Sequence, residues 1–261
     1  MITSSQIGKN GRFGNQLFQI ACLVGYCLEN NYELKLPKWY CELSDELFEV
    51  YFPNYLSSED IHVSNVKYHE PFFRYQKIPN FESVDLVGYY QSYKYFEAFK
   101  DEIKKLFTPN IIVENKDESF VSLHIRRGDY KQHSNSHTNI GFDYYKKSYE
   151  FFGEEKTYLV FSDADVDECF SIIPFIKNKI YMSNNKNVCS KYIGSDKNIV
   201  LDFANMLSCK NHIVANSSFS WWAAWLSGDS VVAPKQWFTD TYSKNIGYNE
   251  EDLIPKEWII F

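Results

Sequence analysis

The stretch "VSLHIRRGDY", Val121 to Tyr130, decides the reading of this chain. Its first half alternates as a strand does, with Val121, Leu123 and Ile125 facing one way. It then releases Arg126, Arg127 and Asp129 around a single glycine. The same grammar repeats downstream. "TYLVFSDAD" (157–165) reads as a strand running into acids, "KIYMSN" (179–184) as a strand, "HIVAN" (212–216) as a strand and "SVVAPK" (230–235) as another. Between them "GFDYYKKSYEFFG" (141–153) reads as a helix closed by Gly153, and "LDFANMLSCK" (201–210) as a helix beginning near Asp202. "SSFSWWAAWLSG" (217–228) reads as a serine-capped helix ending at Gly228. Strands alternating with helices predict a parallel sheet with crossover helices.

Working outward, the N-terminal part is less regular. "GRFGNQLFQIACLVGYCLENN" (11–31) gives a glycine-rich turn and a long helix ending at Asn30-Asn31, and "YELKLP" (32–37) a short strand. A region rich in Tyr and Phe runs to about residue 80. "VDLVGYY" (84–90) follows as a strand and "YFEAFKDEIKKLF" (95–107) as an amphipathic helix. The polar "ENKDES" (114–119) marks a boundary. The expectation is two α/β domains, 1–116 and 117–261, facing each other across a cleft. A chain of 261 residues suits two domains of ordinary size.

Composition narrows the class. With 44% hydrophobic and 23% charged residues the chain reads as an ordinary globular protein. The aromatic content, 18%, suits cores, carbohydrate surfaces and nucleotide surfaces alike. A balance of 27 basic to 34 acidic residues argues against nucleic acid, which asks for a broad basic face, but leaves room for one anionic small molecule. The six cysteines form no CxxC pair and no metal spacing, so free thiols and a reducing compartment are expected. No apolar run approaches the ~18 residues of a membrane span, and the N-terminus lacks the apolar stretch of a signal peptide. The expected location is the cytoplasm, or the inner face of a membrane as a peripheral protein.

Ligands of open parallel sheets bind beyond the carboxyl ends of the strands, which is where Arg126 and Arg127 stand. A guanidinium stays charged and offers a fork of donors matched to phosphate oxygens. Adjacent strand residues point to opposite faces, so one arginine can reach a ligand while the other braces the loop, with Asp129 as a candidate partner. A plain surface ion pair with Asp129 is the competing reading. In "HIVANSSFSWWAAWLSG" a strand delivers Asn216, Ser217 and Ser218 to a helix start, where free N–H groups and hydroxyls make an anion site; ordinary serine capping is the alternative. Two such devices in one domain suit a diphosphate. Asp163-Ala164-Asp165 matches the short acidic motif with which many nucleotide-sugar transferases hold a divalent metal, and equally suits ribose or guanine hydrogen bonds, or a helix cap. The arginine pair counts against metal, because it can neutralise a departing diphosphate itself. Gly8, Gly11 and Gly14 do not match the dinucleotide fingerprint; their turn serves either close ligand approach or a plain bend. His133 and His137, four apart, lack an acidic partner at metal-site spacing.

These blocks, with "GRFGNQLFQIA", "LVGYYQSYKYFE", "FSDAD", "DFANMLSCKNHIVANSSFSWWAAWL" and "VVAPKQWF", come in an order that resembles the α-1,2-fucosyltransferases, glycosyltransferase family 11, in their bacterial form. The likeness spans Gly11 to about Phe238. It implies a GT-B-like architecture of two Rossmann-like domains, a GDP-β-L-fucose donor held by the C-terminal domain, no metal cofactor, and inverting transfer to the 2-hydroxyl of a terminal β-galactoside. It makes Arg126 or Arg127 the donor-phosphate arginine; Asp129, by its place beside that phosphate site, is a candidate base, or else orients one of the arginines. Ser217, Ser218, Phe219 and Ser220 match the phosphate-side block, and Asp202 matches a guanine-reading acid. His124, Asp163, Gly11, Gly14, Asn15 and Gln16 complete the expected donor contacts. Arg12, Phe13 and the acids after Asp165 depart from the family's usual residues, at positions that bear on acceptor choice. The rivals are a metal-dependent transferase using Asp163 and Asp165, a carbohydrate-binding module, and a structural or adhesion protein.

Overall fold

A computed structural model describes residues 1–128, 130, 135–183 and 197–261, the side chains of 197 and 198 excepted. The chain divides into two compact units, Met1–Asn110 with Ile246–Pro255, and Ile111–Asn245 with Lys256–Phe261. The change comes at Asn110/Ile111, six residues before the position read from the sequence. The final stretch is also shared, because Ile246–Pro255 packs with the N-terminal unit. Asp252, 6% exposed, explains the return. Its Oδ1 takes Lys94 Nζ at 2.5 Å, its Oδ2 accepts the Tyr75 N–H at 3.0 Å, and its carbonyl accepts the Ser92 hydroxyl at 2.6 Å.

The N-terminal unit holds a three-stranded parallel sheet, β1 (Ile2–Thr3), β5 (Val84–Val87) and β4 (Lys67–His69), in that order. β2 (Tyr40–Cys41) and β3 (Glu46–Leu47) form a separate antiparallel pair. Helix α1 (Phe13–Glu29) is buried along most of its length. It ends at Asn30 and Asn31, the latter at φ 56°, a left-handed position that asparagine tolerates. Trp39, fully buried, gathers Phe13, Phe48, Phe52, Tyr55 and Phe107 around it. Much of the aromatic surplus is therefore core. "YELKLP" makes no strand, only a bridge between Leu36 and Ser57, since Pro37 cannot donate to a ladder. The helix expected over 95–107 is regular only as α2 (Lys100–Leu106), preceded by 3-10 turns.

The C-terminal unit is built on a six-stranded parallel sheet. Its strands are β6 (Phe120–Ile125), β7 (Thr157–Ser162), β8 (Lys179–Tyr181), β9 (Asn211–Ile213), β10 (Ser230–Ala233) and β11 (Ile259–Ile260), in the order β11-β10-β9-β6-β7-β8. Helices α3 (Phe142–Phe152), α4 (Val166–Ile172), α5 (Lys197–Leu207) and α6 (Ser218–Ser227) connect successive strands and α7 (Asp240–Ile246) follows, while α8 (Glu250–Leu253) lies in the stretch that packs with the N-terminal unit. β6 alternates as expected, yet Ser122 and His124 are buried as well, as befits a central parallel strand covered on both faces. Gly153 closes α3 at φ 96°. In α6 Trp221 and Trp225 stack, Trp222 meets both edge-on, and Trp221 also packs against Trp258, so "SWWAAW" is a core helix. Asp202 lies in the middle of α5, not at its start. The chain lays β7 and β8 to one side of β6 and β9, β10 and β11 to the other. The order therefore reverses between β6 and β9, the switch point at which such sheets bind ligands. Among the described residues no helix is long and apolar enough to cross a membrane.

Candidate active site

Arg126, Arg127 and Gly128 leave the carboxyl end of β6, and one carboxylate organises them. Asp163, at the end of the neighbouring β7, takes Arg126 Nη1 on Oδ2 at 2.5 Å and the Arg127 backbone N–H on Oδ1 at 2.8 Å. The Arg126 guanidinium also lies 5.0 Å over the Tyr130 ring, a cation–π contact. Arg126 is thus the brace. The Arg127 side chain is different. Its Nε is buried and has no hydrogen-bond partner among the described residues; Glu168 Oε1 lies 3.8 Å away, beyond hydrogen-bond reach. A buried guanidinium N–H without an acceptor is costly unless a ligand supplies one.

Gly128 is required by close approach. A Cβ there would lie 2.1 Å from Asp163 Oδ2, an atom already held by Arg126. Gly128→Ala is therefore expected to cost about 1–3 kcal/mol of stability and, by displacing Asp163, more than about ten-fold in any activity that depends on the arginines. Thermal melts and the transfer assay described below check it together.

The second device faces the first across the switch point. β9 continues through Asn216, whose amide donates to the Thr138 and Trp237 carbonyls at 2.7 and 2.8 Å and whose carbonyl accepts the Tyr130 hydroxyl at 3.0 Å. Ser217 occupies the N-cap of α6 in extended backbone, but its side chain does not cap the helix, and no acid stands in the first turn. Among the described residues the positive end of α6 thus meets no acidic side chain of its own first turn, a setting that favours an anion. The hydroxyl of Ser220, 2% exposed, lies 2.8 Å from His124 Nδ1 and accepts the Ala215 N–H at 3.3 Å. Burial lowers the His124 pKa to about 3, against the pull of Asp163, so the imidazole is neutral. Phe219 packs at 5.8 Å from His124 and 5.9 Å from Phe203. Ser220 and His124 thus form an internal tie between β6 and α6.

Asp202 stands near the end of β8. Ser183 Oγ donates to its Oδ2 at 2.8 Å and itself accepts the Ser162 N–H at 2.9 Å. Burial, partly offset by that serine, pushes the Asp202 carboxyl up to about 6. Asp165 accepts the Glu168 N–H at 2.8 Å as the N-cap of α4. Both carboxylates of the Asp163/Asp165 pair are therefore engaged by protein donors. His137 is half-buried among Tyr130 and Phe238. Asp129 and His133 lie outside the described residues.

The structure thus brings His124, Arg126, Arg127, Asp163, Ser217, Ser218, Phe219 and Ser220 to the ends of β6, β7 and β9. Gly11, Gly14, Asn15 and Gln16 belong to the other unit. Gln16, fully buried, donates to the Gly11 carbonyl at 2.9 Å and to Cys41 Sγ at 3.1 Å, and accepts Trp39 Nε1–H at 2.8 Å. Gly11 takes φ 75° in the turn that this amide fixes. Gly14 is buried within α1, and Asn15 Oδ1 accepts Gln91 Nε2–H at 2.8 Å. Glu168, Tyr130 and Ser183 were not singled out from the sequence. Only Glu168 left a trace there, three residues after the capping Asp165.

Residues 45–261 match the model of glycosyl transferase family 11. An alpha-1,2-colitosyltransferase of Escherichia coli is 34% identical over 194 residues, 68% of this chain and 62% of its own. The O-antigen biosynthesis glycosyltransferase WbnK of the same species is 31% identical over 198 residues, 67% and 59%. Galactoside alpha-(1,2)-fucosyltransferase 2 of Oryctolagus cuniculus is 23% identical over 277 residues, 97% and 75%. The matches span about three-fifths of the length of the two E. coli proteins. A crystal structure of the alpha-1,6-fucosyltransferase NodZ soaked with GDP-fucose superposes with a TM-score of 0.41 at 11% identity, covering 90% of this chain and 93% of that one, a likeness too loose to carry an argument. The chain belongs to glycosyl transferase family 11.

Proposed function

We propose that the chain transfers L-fucose from GDP-β-L-fucose to the 2-hydroxyl of a terminal β-galactoside, with inversion and without a metal. The observation that carries the reading is the buried Arg127 Nε without a hydrogen-bond partner among the described residues, at a switch point where α6 begins with no side-chain cap from Ser217 and no acid in its first turn. As the donor C1–O bond breaks, negative charge grows on the β-phosphate. Arg127 and the first N–H groups of α6 meet that charge in fixed positions, which is the main catalytic contribution. Arg126 and Asp163 hold the turn. Asp202 accepts from the two N–H donors on guanine's edge.

Metal independence is supported by the engagement of Asp163, whose two oxygens already take arginine donors; a cation at the Asp163/Asp165 pair would have to displace them. A second reading, transfer of a colitosyl group, is favoured by the 34% identity to the E. coli colitosyltransferase.

The test is GDP release from GDP-fucose with lactose in excess EDTA, with the product linkage read by NMR. Turnover that survives EDTA and yields the α-1,2 product is expected. Turnover lost in EDTA would move the chemistry to Asp163 and Asp165, and turnover only with the colitosyl donor would favour the second reading.

A further inference from the structure

Each arginine that leaves β6 meets an acid from the stretch between the end of β7 and the first turn of α4, and the two meetings differ. Asp163 is locked: one oxygen takes the Arg126 guanidinium and the other the Arg127 N–H. Glu168 meets Arg127 more loosely. Its Oε1 lies 3.8 Å from Arg127 Nε, an ion-pair distance at which no hydrogen bond forms, and that Nε is buried without a hydrogen-bond partner among the described residues. The charges attract all the same, because the two side chains are only 17% and 27% exposed and water screens them poorly.

The backbone under Glu168 is fixed. Its N–H is donated to Asp165 Oδ1 at 2.8 Å, the N-cap bond of α4, and its carbonyl accepts the Ser171 hydroxyl at 2.6 Å. Just before it, Ser162 Oγ accepts the Ala164 N–H at 3.0 Å, and the Ala164 carbonyl accepts the Tyr181 hydroxyl. The Arg127 backbone is held as well, by Asp163. What can change is the pair of side-chain ends, and the geometry between them leaves the Nε–H unused. A phosphate oxygen offers that N–H an acceptor, and a diphosphate carries more charge than a carboxylate does.

We propose that Glu168 is the resting counter-ion of Arg127, exchanged for the diphosphate when the nucleotide binds and taken back when it leaves. The inference rests on the transferase reading above, which puts the diphosphate on Arg127. No covalent bond changes in the exchange; one ion pair replaces another. It opposes the nucleotide twice. Binding must first open the Arg127–Glu168 pair, which lowers the apparent affinity to the fraction of molecules in which that pair is open. The displaced carboxylate then stands beside an anion of its own sign. Glu168 thus lowers affinity in favour of release, loosening GDP after transfer, the step that limits many transferases and other enzymes that close around a substrate.

The experiment is calorimetric titration of GDP into wild type, Glu168→Gln, Arg127→Ala and the double variant, with GDP release timed by stopped flow. Glutamine keeps the length of the side chain and the N–H bond to Asp165 while removing the charge. Glu168→Gln is expected to bind GDP about three- to ten-fold more tightly, and to release it correspondingly more slowly. In the Arg127→Ala background the gain should be smaller, because only the repulsion remains to be relieved. A merely structural role gives neither result, since damage to α4 weakens binding. Glu168→Ala, expected to change GDP affinity in the same direction, decides the matter if the glutamine variant does not fold. A gain smaller than about three-fold, or one as large in the Arg127→Ala background, overturns the proposal. Firm GDP binding by wild type with no gain in the variant sinks the counter-ion only. Wild type that binds none of GDP, ADP and UDP sinks the diphosphate reading of Arg127 and the counter-ion with it.

Discussion

Arg127→Ala is expected to lower transfer by about 10²–10³-fold, the range seen when one fixed donor to a developing oxyanion is removed. The loss should fall in kcat more than in KM for the acceptor, because the β-phosphate charge is largest as the bond breaks. The folded protein should not suffer, since the deleted group includes a buried N–H without a hydrogen-bond partner among the described residues. Arg127→Lys keeps the charge but loses the planar fork, and should still cost about ten-fold or more. Arg126→Ala is the informative contrast. It leaves Asp163 without its 2.5 Å guanidinium partner, so it should lower the melting temperature and take activity down with the fold of the turn. Steady-state kinetics beside thermal melts separates the two arginines. Equal activity losses with equal losses of stability would mean that both are braces.

The second large effect concerns Asp202. Asp202→Asn should lower affinity for GDP by about ten-fold or more, because an amide presents an N–H to one of guanine's donors and leaves it unpaired. The same change should stabilise the ligand-free protein at neutral pH. Burial raises the folded carboxyl from 3.8 to about 6. The unfolded chain therefore ionises first, and the group's contribution is fully present below about pH 4 and lost as pH rises through about 6. Removing the charge recovers roughly 3 kcal/mol at pH 7.5 and almost nothing at pH 4. Melting curves at the two pH values, read beside GDP titrations, check both signs. A variant that is less stable at pH 7.5 and binds GDP normally would make Asp202 a structural residue.

Much of the C-terminal unit was legible because parallel strands and crossover helices write themselves locally. The apolar run of β6, the stop at Gly153 and the serines before α6 each carry their own signal. The roles inside the site were not legible to the same degree. Which arginine braces and which is left to a ligand depends on Asp163, 37 residues after Arg126 in sequence, and no spacing rule announces that pair. Ser220 reads as a phosphate ligand until the fold places His124 against it. Gln16 lies in a glycine-rich turn that suggests a ligand loop, and its amide is spent on Gly11, Cys41 and Trp39. Asp202 looks like a helix start because Leu201 opens an apolar pattern, but α5 begins at Lys197. The return of Ile246–Pro255 to the N-terminal unit rests on Asp252 meeting Lys94, a long-range pairing without a local trace.

The most direct test of the account is calorimetric titration of GDP, ADP and UDP into wild type and Arg127→Ala in EDTA. The account predicts that GDP binds wild type in preference to the other two without added metal, and that the arginine variant binds GDP at least about ten-fold more weakly. Binding that ignores the base, requires a divalent metal, or is unchanged in Arg127→Ala would contradict it.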